Sequence, residues 1–304
     1  MNRRDCFLAA LVASLWGFNF VVIDWGMGEV PPLLFVACRF LLVVFPAVLL
    51  VPRPDVSWRV LGAVGLFMSA GQFGFLYVAM AAGLPPGLAA LVLQGQVVFT
   101  IVIAALALHE RPTGAQSVGV AVGVLGLVVV ALGRGGDVTV AALLLCLMGA
   151  LSWGVGNVVS RAARVPGGLG LTVWSAVVVP VPMIALSLLL DGPAAVAAGI
   201  GGFGWQALVS TLYTAVLASL VGYGLFNSLL ARNPSAAVVP WVLLAPVVAM
   251  VSAGVLLHQV PSAGEALGGL LLVSGVLVAL RPRRARAVVV PVPSAEPSLA
   301  GRSS

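Results

Sequence analysis

The sequence predicts an all-α integral membrane protein with ten transmembrane helices, arranged as two inverted five-helix repeats. Three observations lead there. The chain has 304 residues, of which 61% are hydrophobic and only 8% charged, whereas soluble domains carry about 25% charged residues. Apolar stretches of about 20 residues, long enough to cross the hydrocarbon core, recur along almost the whole chain. The second half also repeats motifs of the first at a nearly constant spacing.

The predicted spans are roughly 6–27, 31–51, 59–82, 85–108, 114–133, 138–160, 171–190, 205–231, 236–257 and 263–280. Most joints are short and carry Pro, Gly or Arg: EVPP, RPDVSWR, GLPPG, HERPTG, RGGD, RNPS and HQVPS. One longer connection, 191–204, has no charge after Asp191. Arg3 and Arg4 precede an apolar run, as in a signal peptide. That run continues to about Trp25, too long for a signal peptide, so it is a retained first helix. From Arg281 the composition turns basic and then rich in Pro and Ser, so residues 281–304 read as a disordered tail.

All 15 basic residues are Arg, which fits a high-GC bacterial genome and a multi-pass protein of the bacterial plasma (inner) membrane. With the N-terminus in the cytoplasm and the helices alternating, thirteen arginines lie inside. Arg134 alone lies outside, and Arg39 is in the membrane. The positive-inside rule selects this orientation, with both termini cytoplasmic. The net charge of +6 is no nucleic-acid signal, because the arginines are scattered over short loops and the tail without interleaved aromatics. Cys6, Cys38 and Cys146 are odd in number and all sit in apolar segments, which argues against a disulfide framework or a zinc site. No GxxxxGK[ST] segment occurs, so ATP is not the direct energy source. No metal or cofactor is expected.

The repeat is read from matched turns. HERPTGAQSVGVAVGVLGLVVVAL (109–132) aligns without gaps with the segment beginning at His258. His109 falls on His258, Pro112 on Pro261, Gly119 on Gly268 and Gly126 on Gly275. Pro85 falls on Pro234 at the same offset, and Trp16-Gly17 matches Trp153-Gly154 at a slightly smaller one. Five helices per half is an odd number, so the second half (136–280) enters from the side opposite to the first (1–135). That is an inverted-topology repeat, the arrangement that lets one fold open alternately to either side.

The segments WGFNFVV (16–22), PPLL (31–34), RF (39–40), PRPDV (52–56), QFGFLY (72–77), GLPPGLAALVLQGQVVFTI (83–101), SWGVGN (152–157), VWSA (173–176), LDG (190–192) and VGYG (221–224) carry a resemblance. With the five-plus-five layout, the chain resembles the EamA family of the drug/metabolite transporter superfamily, closest to its O-acetylserine/cysteine exporter type. The likeness covers nearly everything but the tail. It implies ten helices, alternating access and outward movement of small amino-acid metabolites. Two features depart from the family pattern: HQVP at 258–261, where an acidic pair is common, and the extra tail.

Arg39 is the first candidate for chemistry. A charge inside a span is costly and by default faces a protein interior or a water-filled cavity. It lies about eight residues, or about 12 Å, below the outer end of its helix. A guanidinium there can take a substrate carboxylate through two parallel hydrogen bonds. It can also form a structural pair with Asp24, or snorkel. Asn19, Gln72, Gln94, Gln96, Asn157, Tyr223 and Asn227 place polar groups at mid-depth; amides there either glue helices together or line a polar cavity. Gln94 and Gln96 are two residues apart, about 200° around a helix, so only one of them should face a given cavity. Trp16 and Trp153 lie at mid-depth as repeat partners, as wall, gate or plain packing; Trp241 and Tyr77 are read the same way. Gly119, Gly123 and Gly126 form a close-packing face, within the chain or in a homodimer. Pro46, Pro180, Pro182, Pro240 and Pro246 are hinges or static kinks. No acid lies at the centre of a span, which leaves Asp24 as the coupling candidate if protons drive export.

The expected function is therefore secondary export of small amino-acid metabolites. The substrate-binding candidates are Arg39, Trp16, Asn19, Gln72, Gln94, Gln96, Trp153, Asn157 and Tyr223. The partners are an amino-acid-like substrate, membrane lipids and a proton as coupling ion, with the chain a monomer or homodimer. Export of other neutral or cationic compounds is the alternative, and Arg39 disfavours cations. A polytopic enzyme acting on lipids would need a His, Asp, Glu or Ser cluster at one interface. His109 and His258 fall on opposite faces with no acidic cluster beside either.

Overall fold

The structure is a computed structural model that describes residues 1–133, 138–165 and 168–281. The basic tail beyond Arg281, and Arg134 in the RGGD joint, lie outside the described residues. Among the described residues, ten apolar helical segments follow one another: α1 (Arg3–Met27), α2 (Pro32–Leu50), α3 (Trp58–Ala81), α4 (Pro86–Ala107), α5 (Gly114–Gly133), α6 (Val140–Ala162), α7 (Leu169–Ala176 with Pro180–Leu190), α8 (Trp205–Arg232), α9 (Val239–Leu257) and α10 (Ala263–Ala279). Eight are long and apolar enough to span a membrane as single helices, and α7 is a ninth when its two pieces, bent by 40°, are taken as one span. α10 is apolar but only 17 residues long. The connection 191–204 is not plain loop. It holds a short helix, Pro193–Gly201, started by proline at its first position, and Gly199 packs on Pro31.

Local chemistry sets the helix ends. Asn2, Ser57 and Thr139 cap α1, α3 and α6, each side-chain oxygen accepting a backbone N–H of the first turn. α10 starts with a full capping box. The Ser262 N–H donates to Glu265 at 2.8 Å and the Glu265 N–H donates to Ser262 Oγ at 3.1 Å. The Ser262 hydroxyl also donates to the Gly133 carbonyl at 2.6 Å, tying the start of α10 to the end of α5.

The repeat is visible in the backbone. His109 and His258, matched in sequence, both take left-handed conformations, φ 54° and 55°. The equivalent helices α3 and α8 both contain a π-helical stretch, Gly65–Gly71 and Tyr213–Val221. α4 is interrupted between Leu93 and Gln96, and its repeat mate α9 changes from 3₁₀ to α geometry at Leu243–Leu244. α5 and α10 form the most extensive helix pair. A methyl on Gly119 would lie 2.5 Å from the Gly275 carbonyl, and one on Gly126 would lie 2.7 Å from the Gly268 carbonyl. Each glycine thus meets the repeat mate of the other, so the two helices run antiparallel, as inverted repeats require. The close-packing face on α5 is therefore used within the chain.

Candidate functional site

Seven helices, α1, α2, α3, α4, α6, α8 and α9, surround one cavity of about 350 Å³. Cavities of this size hold small-molecule ligands. Trp16, Asn19, Arg39, Gln72, Gln94, Gln96, Trp153, Asn157 and Tyr223 all line it. Asn227 and Trp241 do not; Trp241 packs beside Ala9, Leu229 and Val238 instead.

The expectation that only one of Gln94 and Gln96 faces the cavity is corrected. Both do, because α4 is not one continuous helix there. Leu93 ends its first half and Gln96 starts the second, and the turn at Gln94-Gly95 resets the helical phase. Gln96 Oε1 accepts from Asn157 Nδ2 at 2.9 Å, and Thr100 Oγ1 accepts from the same nitrogen at 3.2 Å. Asn157 is thus both cavity wall and a clasp between α4 and α6. Trp16 donates its indole N–H to the Ala218 carbonyl at 2.8 Å and packs against Tyr223 and Phe226, with ring centroids 5.1 and 5.2 Å away.

Arg39 is 3% exposed. Its Nη1 donates to Tyr77 Oη at 3.3 Å and its Nη2 to Ser219 Oγ at 3.0 Å, while Ser219 Oγ donates onward to the Thr214 carbonyl. The guanidinium lies over the Phe73 ring, 4.0 Å from its centroid. The pairing with Asp24 is not found. Asp24 is half-buried and does not line the cavity, and the ion pairs among the described residues are Glu110–Arg161 and Asp5–Arg232. Snorkelling is also excluded, since the head group ends on interior hydroxyls. Among the described residues the positive charge at the cavity is therefore matched by no carboxylate, and Arg39 Nε has no hydrogen-bond partner there. A buried donor left unpaired costs about 1–3 kcal/mol, more when charged. The same holds in acceptor form for two other residues of the lining: Asn19 Oδ1 and Gln72 Oε1 are buried without a donor among the described residues.

Sequence reasoning missed Phe73 and Ser219. Phe73 and Tyr77 are four apart on α3 and so share a face, a spacing that points both at Arg39. Ser219 sits in the π-helical stretch of α8, where 3.6-residue periodicity does not say which way a side chain points.

The model of the EamA-like transporter family matches residues 4–132 and again 140–281. The chain belongs to the EamA-like transporter family. The double match puts one family unit in each half, so this is a multi-pass membrane transporter rather than an enzyme. It is 38% identical over 284 residues to a probable amino-acid metabolite efflux pump of Salmonella typhimurium, spanning 91% of this chain and 95% of that one. A pump of the same description from Escherichia coli K12 is 38% identical over 285 residues, with the same coverage. A probable terminal-alkyne amino-acid exporter of Streptantibioticus cattleyicolor is 30% identical over 198 residues, 64% of each chain. A crystal structure superimposes with a TM-score of 0.59 at 23% identity, covering 92% of this chain and 97% of that one. That likeness supports the fold.

Proposed function

We propose that this EamA-like transporter exports small amino-acid metabolites of the O-acetylserine/cysteine kind, and that Arg39 binds the substrate carboxylate in the central cavity. One observation carries the proposal: a buried guanidinium lines a small-molecule-sized cavity, and among the described residues no carboxylate neutralises it. A substrate carboxylate would supply the missing charge, and a planar guanidinium suits it better than an ammonium would. Relatives described as amino-acid metabolite efflux pumps support the substrate class. The alternative is export of other neutral or cationic compounds; a cation would be brought beside this uncompensated positive charge, so the same observation disfavours cationic substrates.

Two repeats, 1–135 and 136–280, are proposed to exchange roles as the cavity opens to each side in turn. The interruptions in α4 and α9 at repeat-equivalent positions on the cavity wall suit that exchange. The Arg distribution supports an orientation with both termini in the cytoplasm of a bacterium and transport across its plasma membrane. Asp24, outside the cavity lining and unpaired with Arg39, has no part in substrate binding in this scheme. The test is efflux from cells or inverted vesicles containing the protein, comparing O-acetylserine and cysteine with unrelated amino acids. Efflux no faster than in vesicles lacking the protein, for every compound, would overturn the proposal.

A further inference from the structure

Asn19 on α1 and Gln72 on α3 reach the cavity from two neighbouring helices, and each is buried, 5% and 4% exposed. Asn19 Oδ1 and Gln72 Oε1 have no hydrogen-bond donor among the described residues. Two other polar groups on the wall are committed: the Trp16 indole to Ala218, and Gln96 Oε1 to Asn157. Among the residues that line it, the buried atoms left unmet are thus one cationic donor, Arg39 Nε, and two neutral acceptors, Asn19 Oδ1 and Gln72 Oε1. Among the described residues no Asp or Glu lines it.

We propose that Asn19 and Gln72 form an ammonium subsite, so that the cavity takes its substrate as an α-amino acid zwitterion. The proposal rests on the carboxylate reading of Arg39 and adds the other end of the molecule. An ammonium has three donors and no acceptor, so it needs oxygens around it. A carboxylate would attract it more strongly, but beside Arg39 a carboxylate would pair with the guanidinium and cancel its pull on the substrate. Neutral carboxamide oxygens hold the ammonium and leave Arg39 free. Both oxygens are screened from open space, and the terminal torsions of Asn and Gln are soft, so a small rotation presents them to the ligand. Simple carboxylic acids would leave the two acceptors unmet, and amines lacking a carboxylate would leave Arg39 unmet.

The test is thermal stabilisation of the purified full chain in detergent by matched pairs differing only in the α-amino group. These are O-acetylserine with 3-acetoxypropanoate, cysteine with 3-mercaptopropanoate, and leucine with 4-methylpentanoate. In each pair that binds, the amine-bearing member should half-saturate at a concentration about tenfold lower, the scale of one hydrogen bond to a charged group. Asn19→Leu and Gln72→Met should each bring that ratio towards one while leaving the deaminated member's binding unchanged. Arg39→Gln should weaken both members alike and keep the ratio, so a failure of the carboxylate reading shows separately from a failure of the ammonium subsite. Because the ratio is internal to each variant, reduced yield does not affect it. A wild-type ratio near one, a ratio unchanged in both amide variants, or no stabilisation by any member of any pair would overturn the proposal.

Discussion

Arg39 seats its guanidinium inside the helix bundle on two hydroxyls and an aromatic face. Tyr77 and Ser219 accept from its two terminal nitrogens, and Phe73 lies beneath it. A cation over a ring contributes about 0.5–2 kcal/mol depending on desolvation, and neither the ring nor the hydroxyls cancel its charge. The residual positive potential is what a substrate carboxylate would feel. Arg39→Lys keeps the charge and loses the planar fork, so it should retain weak transport, whereas Arg39→Gln should lose transport by about tenfold or more. Both are read as initial efflux rates normalised to inserted protein. Rates for Arg39→Gln equal to wild type would remove Arg39 from the site. Asp24→Asn should leave substrate affinity within about twofold, because Asp24 neither lines the cavity nor pairs with Arg39. A large loss of affinity in ligand titrations would place Asp24 in the site after all.

At the scale of elements, both halves keep their close-packing glycines and their irregular turns in different helices. α5 and α10 are locked by backbone-to-backbone contact. Gly126 faces the Leu272 N–H and the Gly268 carbonyl so closely that no side chain fits. Gly126→Leu should therefore overpack the pair at a cost of about 1–3 kcal/mol or more and lower the yield of monodisperse protein in size-exclusion chromatography. Gly114→Ala, at the open start of the same helix with nothing within 4 Å, should behave as wild type. Similar yields for the two variants would contradict the packing seen here. Irregular turns appear instead where α3, α4, α8 and α9 meet the cavity. Amide and hydroxyl side chains leave the 3.6-residue pattern there and point inwards.

On the scale of the whole molecule, an inverted repeat requires each half to enter the membrane from its own side. Reporter fusions in 191–204 should therefore signal the outside, and fusions at Ser304 the cytoplasm, as the arginine count requires. A cytoplasmic signal from 191–204 would break the alternation. The tail carries no spanning pattern and is rich in Pro and Ser. Deleting 287–304 while keeping Arg281 to Arg286 should leave efflux unchanged. Loss of efflux at normal expression would show that the tail has a role beyond the membrane domain.

Fold class and repeat were legible in the chain because both depend on quantities that add up along it. Apolar length gives the spans, and matched motifs such as His109 with His258 give the repeat. The same holds for Arg39, conspicuous because a charge in hydrocarbon is expensive wherever the helices go. Tertiary structure alone decided which polar residues share a cavity and what each one touches. Gln94 and Gln96 look opposed on a regular helix, yet both face inwards because α4 breaks between them. Ser219 reaches Arg39 from 180 residues away through a π-helical stretch whose phase ordinary helical spacing does not follow. Asp24, near the end of α1, and Arg39, inside α2, carry opposite charges but do not pair, because Arg39 turns instead to Tyr77 on α3 and Ser219 on α8. Side-chain direction depends on local helix phase and on neighbours far away in sequence, and neither is written into composition or periodicity.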